Sequence, residues 1–395
     1  MAMFLRILRR KIGPIVYRII FFFFSLMPKD DNLIIFESFL GKQYSDNPRA
    51  IYEYLNKNYP GYKLYWSFNK NLAYQLSEIK SINRLSLRWL YYMGRAKYWV
   101  SNSRLPLWLR KSKSTIYVQT WHGTPLKKLG VDIRDVKMPG TTTDKYKRNF
   151  TKESAKWDYL VSPNRFSTEV FKKAFHFNKE IIESGYPRND ILVQNKRSSN
   201  DWKCKLGLPD DKRVILYAPT WRDNQYYDTG KYKLNLQLDL DQLQSQLGED
   251  FIVVLRMHYL VAEKINLEQY KGFAYDFSSY PNISDIYLAS DLLITDYSSV
   301  FFDYANLQRP ILFFVYDIEE YQDEIRGFYL DFEKVAPGPL IKSNRQLIKV
   351  IKDIDFDNFH LNKKYKAFIN QFCSLENGNA TIKVIDTFLE KNKQV

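Results

Sequence analysis

Short runs of β-branched and aromatic residues alternate with helical stretches along almost the whole chain, and this alternation limits the folds open to it. Strands are predicted over residues 33–37, 62–67, 98–102, 115–121 and 159–162, and then over 214–219, 251–256, 292–295 and 311–314. Helices are predicted between them, among others over 48–55, 167–175, 238–247 and 298–307. Strands that alternate with helices form parallel, doubly wound sheets, which bind ligands outside the carboxyl ends of their strands. The pattern predicts an α/β fold.

The length of the chain indicates that this fold is divided into domains. A chain of 395 residues exceeds what one compact core usually contains. The segment 185–190, Gly-Tyr-Pro-Arg-Asn-Asp, is rich in turn-forming residues and predicts a hinge. We expect two Rossmann-like, doubly wound domains facing a cleft, over 31–187 and 188–372. A basic amphipathic segment, 1–30, precedes them, and a C-terminal helix, 373–395, follows.

The charge is distributed unevenly between the two halves of the chain. Residues 1–200 carry 36 Lys and Arg against 15 Asp and Glu, a net charge of +21, whereas the remainder carries 23 against 29, a net charge of −6. The first half should therefore face an anionic partner. Two cysteines, Cys204 and Cys373, exclude a disulfide framework and a cysteine-rich zinc site.

The first thirty residues combine six Lys and Arg with an apolar run over 19–24. A membrane-spanning helix needs about 20 apolar residues, so this run is too short to cross a bilayer. The composition is typical of a helix that lies in the membrane interface. The alternative is an ordinary N-terminal helix buried against the protein.

A second basic segment, 79–131, contains no Asp or Glu, and Trp and Tyr are interleaved with its cations. Four of these cations are candidates for the membrane or acceptor side: Arg104, Arg110, Lys127 and Lys128. Basic residues mixed with Trp and Tyr suit an anionic leaflet or an anionic lipid-linked substrate. The same mixture could bind nucleic acid, but no nucleic-acid-binding motif accompanies it, so we expect no nucleic acid as partner.

Two histidines follow predicted strands and are candidates for catalysis. His122 lies in Thr-Trp-His-Gly-Thr-Pro, directly after the strand at 115–121, where a tight loop could hold an imidazole for general-base work. The alternative is a packed loop histidine. Arg256 and His258 end the strand at 251–256 and project to one side, which suits a phosphate or a departing phosphate.

The strongest local signal is the segment 291–303, in which a buried strand ends at Thr295 and a helix follows. Asp296 or Ser298 could cap that helix, and Ser298 and Ser299 bring hydroxyl and backbone N–H groups to its start. Such a start is suited to phosphate oxygens. Capping alone would also explain these residues, and the two roles are compatible.

Two more clusters are candidates for the same cleft: Thr220, Trp221 and Arg222 after one strand, and Arg326 with Gly327. Either could instead be an ordinary surface turn. The chain has neither a Gly-x-Gly-x-x-Gly motif nor a Walker loop, and Asp239-Leu240-Asp241 is interpreted as the first turn of a helix. The pattern therefore indicates no metal site and requires no cofactor, although it is compatible with a divalent cation.

Taken together, five motifs resemble the CDP-glycerol glycerophosphotransferases of wall teichoic acid synthesis. They are Thr-Trp-His-Gly-Thr-Pro-Leu-Lys at 120–127, Ala-Pro-Thr-Trp-Arg-Asp at 218–223, Arg-Met-His at 256–258, Thr-Asp-Tyr-Ser-Ser at 295–299 and Arg-Gly-Phe-Tyr at 326–329. They occur in the family's order, and the resemblance extends over about residues 36–376. The length is similar to that of the short members, which act as primase or early glycerophosphate-adding enzymes.

The resemblance implies a GT-B-like fold that works as a peripheral protein on the cytoplasmic face of the cell membrane. The N-terminal domain would bind an undecaprenyl-diphosphate-linked acceptor, and the C-terminal domain would bind CDP-glycerol. His122 matches the family's proposed base and His258 its second essential histidine. The acceptor hydroxyl would attack the distal phosphorus and expel CMP. Relatives that use CDP-ribitol share these motifs, so that donor is an open alternative, as is a non-catalytic scaffold on the membrane surface.

Overall fold

The computed structural model contains two α/β domains, each built on one parallel sheet. It describes residues 2–69, 72, 76, 78–136, 140–195, 199–220, 226–228, 231–232, 236–257, 266–319 and 327–390. For residues 2–12, 14, 226–228 and 231–232 it describes the backbone alone. The strands of the N-terminal sheet are β1 (Asp30–Glu37), β2 (Lys63–Phe68), β3 (Ser81–Asn83), β4 (Ala96–Ser101), β5 (Ile116–Gln119), β6 (Tyr159–Ser162) and β7 (Glu180–Glu183). Their order across the sheet is β3-β2-β1-β4-β5-β6-β7.

The C-terminal sheet has the same kind of order. Its strands are β8 (Arg213–Tyr217), β11 (Phe251–Leu255), β12 (Ala274–Asp276), β13 (Leu292–Thr295), β14 (Ile311–Phe314) and β15 (Leu340–Ile341), and β9 (Tyr226–Asp228) pairs with β10 (Lys231–Tyr232) as a separate ribbon. The order is β12-β11-β8-β13-β14-β15. The direction of winding reverses between β1 and β4 in the first sheet and between β8 and β13 in the second. Ligands bind at such switch points.

Helices cover both faces of each sheet, which explains why the central strands are continuously apolar rather than alternating. The helices are α1 (Ala2–Ser25), α2 (Asp46–Asn58), α3 (Leu87–Arg95), α4 (Thr143–Ser154), α5 (Arg165–Ala174), α6 (Asp190–Gln194), α7 (Asn200–Lys205), α8 (Leu240–Leu247), α9 (Ile283–Ala289), α10 (Val300–Tyr304), α11 (Phe332–Val335), α12 (Asn344–Lys352), α13 (Lys363–Phe372) and α14 (Ala380–Glu390). Every residue of β11, for example, is buried.

The chain crosses between the domains twice. The first crossing is the short 3-10 turn Pro187–Asn189, within the predicted hinge. The second follows α13, because α14 returns to the N-terminal domain and buries Val384, Ile385 and Phe388 in the core that contains β1 and β4. The C-terminal helix is thus part of the N-terminal domain's packing.

Helix α1 lies on the N-terminal domain with one face packed and the other exposed. Phe21 is 2% exposed and joins the core beside α3, and Phe24 lies so close to Gly94 that a Cβ there would come within 2.8 Å of its Cβ. On the outer face, Ile19 is 54% exposed and Phe23 is 63% exposed. One face of α1 is therefore buried against the protein, and the membrane-interfacial location of the helix stays a prediction. Within the described residues, no helix combines the length and apolarity needed to cross a membrane.

The predicted strands are all present, most with ends shifted by one to three residues. The edge strands β3, β7, β12 and β15 were not predicted, and each has four residues or fewer. The predicted helix at 298–307 is divided into α10 and a 3-10 turn, Ala305–Leu307. Asp239 accepts a hydrogen bond from the Gln242 backbone N–H at 3.0 Å, as expected for the start of a helix.

Candidate active site

A cavity of about 720 Å³ lies between the two domains, at the carboxyl ends of β5, β8, β11 and β13. The N-terminal domain contributes His122 and the exposed face of α2 to its wall. The C-terminal domain contributes Ala218, Arg256, Ser298 and Ser299. Residues that the sequence analysis assigned to two different halves of the chain thus meet at one cleft.

The side chain of His122 is held by the backbone of the neighbouring strand end. Its Nδ1 lies 2.7 Å from the carbonyl oxygen of Asn102, which follows β4. A carbonyl oxygen can only accept a hydrogen bond, so Nδ1 carries the proton and Nε2 is left to take one. This is the tautomer that a general base requires.

The residue before His122 has an unusual backbone conformation. Trp121 has φ = +51°, a left-handed value that is costly for a bulky residue. Its ring is buried and packs at 4.5 Å from the Phe175 ring, between centroids, and it stacks on the His122 imidazole at 4.6 Å. Packing therefore keeps the loop in a conformation that directs His122 to the cavity.

The surroundings of His122 favour its neutral form. Desolvation by the surrounding protein lowers the pKa of His122, although its side chain is exposed to the open cavity, and the positive charge of Arg188 acts in the same direction. The carboxylate of Asp46 and the Asn102 carbonyl oppose this effect without overcoming it. A histidine that is neutral near pH 7 can accept a proton from a substrate.

A buried ionic network connects the two domains beside the cavity. The Arg188 guanidinium donates to Asp46 Oδ1 at 2.7 Å and to both carboxylate oxygens of Asp303, at 2.9 and 3.1 Å from Nη2. Burial alone would lower the pKa of Arg188, but the two carboxylates outweigh it and raise that pKa well above its ordinary value. Asp46 begins α2, Arg188 lies in the hinge and Asp303 lies in α10, so one guanidinium joins three elements.

The His122 loop closely approaches the start of α10 in the opposite domain. A Cβ at Gly123 would lie 3.1 Å from the Ser299 Oγ, which is tighter than most real contacts. Ser298 and Ser299 are half-buried, and the Ser299 side chain makes no capping hydrogen bond. Capping therefore does not account for Ser299.

Arg256 lines the cavity but also has a structural task. Its Nη1 donates to the carbonyl oxygens of Phe277, Ser278 and Tyr280 at 2.6, 2.9 and 2.6 Å. Burial lowers the pKa of Arg256. The side chain thus fixes the loop after β12 while it contributes positive charge to the cavity wall.

Three other predicted site residues, Thr220, Thr295 and Asp296, lie outside the described cavity wall. Thr295 and Asp296 are buried. The Thr295 hydroxyl donates to the Ala218 carbonyl oxygen at 2.7 Å, and the Thr220 backbone N–H donates to Asp296 Oδ1 at 2.8 Å. In the described structure these contacts tie the loop after β8 to β13, outside the cavity wall.

The predicted cations of the acceptor side lie elsewhere in the described structure. Lys127 forms an isolated antiparallel β-bridge with Phe328 of the C-terminal domain, and the Lys128 backbone N–H donates to the Gly327 carbonyl oxygen at 3.1 Å. The Arg104 guanidinium stacks on the Phe150 ring at 4.6 Å, and Arg110 is exposed. None of these residues, nor Gly327, is part of the described cavity wall.

Comparison with known proteins decides the family. A family model described as CDP-Glycerol:Poly(glycerophosphate) glycerophosphotransferase matches residues 19–390. The chain belongs to this family. A teichoic acid poly(glycerol phosphate) polymerase of Bacillus subtilis is 57% identical over 384 residues, which are 96% of this chain and 52% of that protein. The chain thus spans about half the length of that relative.

A second relative of the glycerophosphotransferase family matches over its whole length. A teichoic acid glycerol-phosphate transferase of Staphylococcus aureus is 44% identical over 97% of this chain and 100% of its own. Among solved structures, the wall teichoic acid polymerase TagF superposes with a TM-score of 0.87 at 42% identity, over 99% of this chain and 98% of that chain. A histidine-to-asparagine variant of TagF, soaked with CDPG, superposes with a TM-score of 0.86 at 42% identity, over 99% and 98% of the two chains. The fold is therefore GT-B-like, as the resemblance implied.

Four predicted site residues lie outside the described residues: Trp221, Arg222, His258 and Arg326. Their assignments stay predictions. Within the described part of the chain, no cluster of three or more His, Cys, Asp and Glu side chains could hold a metal ion.

Sequence reasoning missed Asp46, Asn102 and Arg188, which surround His122. Asn102 ends a predicted strand and Arg188 lies in the predicted hinge, so the sequence indicated the position of these two residues, whereas Asp46 lies just before the helix predicted at 48–55. Their convergence depends on how the two domains meet.

Proposed function

We propose that this chain transfers glycerol phosphate from CDP-glycerol to a hydroxyl of a lipid-linked teichoic acid acceptor and releases CMP. The observation that carries the proposal is the interdomain cavity, which brings His122 together with Arg256, Ser298 and Ser299. The names of the relatives and the CDPG soak of TagF agree with this donor.

The reaction follows from the two walls of the cavity. His122 Nε2 takes the proton of the acceptor hydroxyl while the oxygen of that hydroxyl attacks the distal phosphorus of CDP-glycerol. A new P–O bond forms, and the bond to the bridging oxygen breaks, so that CMP leaves with the electron pair. Arg256 would neutralise charge on the phosphoryl oxygens, and the Ser298 and Ser299 hydroxyls would donate hydrogen bonds to them. Positioning with charge neutralisation should supply most of the acceleration. His258, carried over from the resemblance, would assist on the donor side.

The acceptor is proposed to be an undecaprenyl-diphosphate-linked chain at the cytoplasmic surface of the membrane. The outer face of α1 supports this location, because it exposes Ile15, Ile19, Phe22 and Phe23 beside the exposed cation Arg18, and Leu26, directly after the helix, is exposed as well. Apolar side chains flanked by cations are typical of helices in the membrane interface. Lys127, Lys128, Arg104 and Arg110 remain candidates for contacts to acceptor or lipid.

A CMP-release assay tests the proposal and separates the two polyol donors. Purified protein is incubated with a lipid-linked glycerol phosphate acceptor and either CDP-glycerol or CDP-ribitol, with acceptor-free reactions as the control. We expect acceptor-dependent CMP release from CDP-glycerol at a rate at least about tenfold above that from CDP-ribitol. Faster turnover of CDP-ribitol would reassign the donor, and absence of CMP release from both would contradict the enzyme assignment.

A further inference from the structure

The start of α2 contacts the His122 loop through side chains that the proposed chemistry has not used. Asn47 Nδ2 donates to the carbonyl oxygens of Thr120 and Trp121, at 3.3 and 3.2 Å. Asn102, whose carbonyl oxygen accepts from His122, donates through its own Nδ2 to Asp46 Oδ2 at 3.1 Å. Two neighbouring residues of one helix therefore hold both the backbone before His122 and the group that orients its ring.

Asp46 takes part in these contacts although its backbone conformation and the burial of its carboxylate are both energetically unfavourable. It has φ = +68°, a left-handed conformation, and its side chain is only 8% exposed although it is an acid. Its Oδ1 accepts from the Asn47 backbone N–H at 2.6 Å and from Arg188 at 2.7 Å. A strained, buried carboxylate persists only where the surroundings fix it, and such residues concentrate at functional sites.

We propose that Asp46 is the positioning residue of His122: it fixes the ring through Asn102 and stabilises the imidazolium that forms when His122 takes the acceptor proton. This role rests on the proposed transfer reaction and adds to it a third group behind the base, with the backbone of Asn102 between them. The arrangement performs the task of the acid in a catalytic triad, which orients a histidine and compensates its developing charge.

The positive charge of Arg188 partly compensates the buried carboxylates of Asp46 and Asp303 beside the cavity. Asp46 and Asp303 share the single positive charge of Arg188, so the group of three carries one net negative charge. That excess charge is available to an imidazolium on His122. Replacing Asp46 by Asn leaves a balanced Arg188–Asp303 pair, and the Asn side-chain oxygen can still accept the hydrogen bonds from the Asn47 backbone N–H and from Arg188 that Asp46 Oδ1 accepts. The variant should therefore fold.

The first test is the titration of His122 in Asp46→Asn, observed by NMR on protein with labelled histidines and assigned with His122→Gln. The charged groups that face the ring or line the same cavity in the described structure are Asp46, Arg188, Asp303, Arg256, Arg49, Glu53, Lys57 and Asp190. Only Asp46 changes in this variant. Because a carboxylate favours the charged form of a histidine, its loss should lower the pKa of His122 by roughly 1. An unchanged pKa would overturn the proposal.

Asp144→Asn is the matched control. Asp144 is also an acid in the first turn of a helix, α4, but it is exposed. Its replacement removes the same charge from the same kind of position and should leave the pKa of His122 unchanged. A shift of similar size in Asp144→Asn would show that the effect is not specific to Asp46.

Turnover gives the second test. In Asp46→Asn, kcat for CMP release should fall by about tenfold and the acid limb of its pH profile should move to lower pH, while KM for CDP-glycerol stays within about twofold.

The variant Asn102→Ala tests the orienting role separately, because it keeps the charge of Asp46. It should lower kcat about fivefold without moving the acid limb of the pH profile, and an unchanged kcat would overturn the orienting role. Asn102→Ala also decides the matter if Asp46→Asn does not fold. Failure of the proposed function would appear instead as absence of CMP release in the wild type, which leaves the titration readable.

Discussion

At the scale of residues, a carboxyl group that follows α13 and accepts hydrogen bonds from the hinge should make the stability of the protein depend on pH. Glu376 accepts hydrogen bonds from the Tyr186 backbone N–H at 3.0 Å and from Asn189 Nδ2 at 2.9 Å. Burial raises the pKa of Glu376 to about 8, although these hydrogen bonds act against the rise. The folded hinge therefore favours the protonated acid.

This leads to a prediction about pH. Since the folded pKa lies above the unfolded one, the contribution of Glu376 is fully present below about pH 4.5 and is lost as pH rises towards 8. The wild type should lose about 1–2 kcal/mol of unfolding free energy from this group between pH 5 and pH 8, once solvent screening is allowed for. Glu376→Gln should remove that part of the slope. Urea unfolding at a series of pH values measures it, and equal slopes in both proteins would refute the assignment.

Sequence reasoning gave the correct location for residues that lie shortly after a strand, while their roles stay predictions. His122, Arg256, Ser298 and Ser299 all line the cavity. Sequence reasoning could not tell that Thr295 and Asp296, whose donor-binding role stays a prediction, are buried outside the described cavity wall, because a polar residue at a strand end can point to either side of the sheet edge. It missed Asp46, since an acid at a helix start usually only complements the helix dipole.

At the scale of elements, α1 is the segment whose two faces have different surroundings. Phe21 packs into the core beside α3, whereas Ile19 and Phe23 are exposed. Removal of residues 1–30 would uncover that core surface, so truncation is a poor test of membrane binding. Substitutions on the outer face avoid this problem.

We expect the double variant Ile19→Asp/Phe23→Asp to lose binding to anionic vesicles by more than about tenfold. Burial of large apolar side chains contributes roughly 1.5–3 kcal/mol each, and the added acids repel the surface. The melting temperature should change little, because both positions are exposed. Vesicle sedimentation and thermal unfolding provide the two readings.

The control for this prediction is Ala367→Asp/Gln371→Asp on α13. These positions are exposed, have the same i, i+4 spacing and add the same charge. The control should bind vesicles like the wild type to within about twofold. Equal binding by the α1 variant and the wild type would exclude the outer face of α1 as a membrane contact.

Some helices and strands could be predicted from their sequence patterns, whereas others are defined by contacts with the rest of the fold. Central strands such as β13 were predicted with correct ends because their apolar runs are continuous and bounded by polar residues. The short edge strand β15 has two residues, and it is defined by its pairing with β14 rather than by a pattern of its own. Likewise, α1 was predicted as a helix, but its packed face depends on the close approach that Gly94 permits.

At the scale of the whole molecule, two of the sets of contacts that hold the domains around the cavity involve charged or polar side chains. One is the hinge network of Arg188 with Asp46 and Asp303. The other joins the segment after β5 to 327–329, where the Tyr329 hydroxyl donates to Asp132 Oδ2 at 2.5 Å. Chain length, the alternation of strands with helices and the turn-rich segment 185–190 predicted two domains facing a cleft, but these contacts arise from residues distant in sequence and could not be predicted from either half alone.

The central claim is that the N-terminal wall of the cavity activates the acceptor and the C-terminal wall binds the donor. His122→Ala and Ser299→Ala separate these roles, with calorimetric affinity for CDP-glycerol and CMP release measured on each variant. His122→Ala should reduce kcat by about 10²–10⁴-fold and keep the donor affinity within about twofold. Ser299→Ala should weaken donor binding by roughly 1.5–3 kcal/mol, the contribution of a hydrogen bond to a charged group. Normal turnover by His122→Ala, or loss of donor affinity in His122→Ala but not in Ser299→Ala, would contradict the division of roles across the cleft.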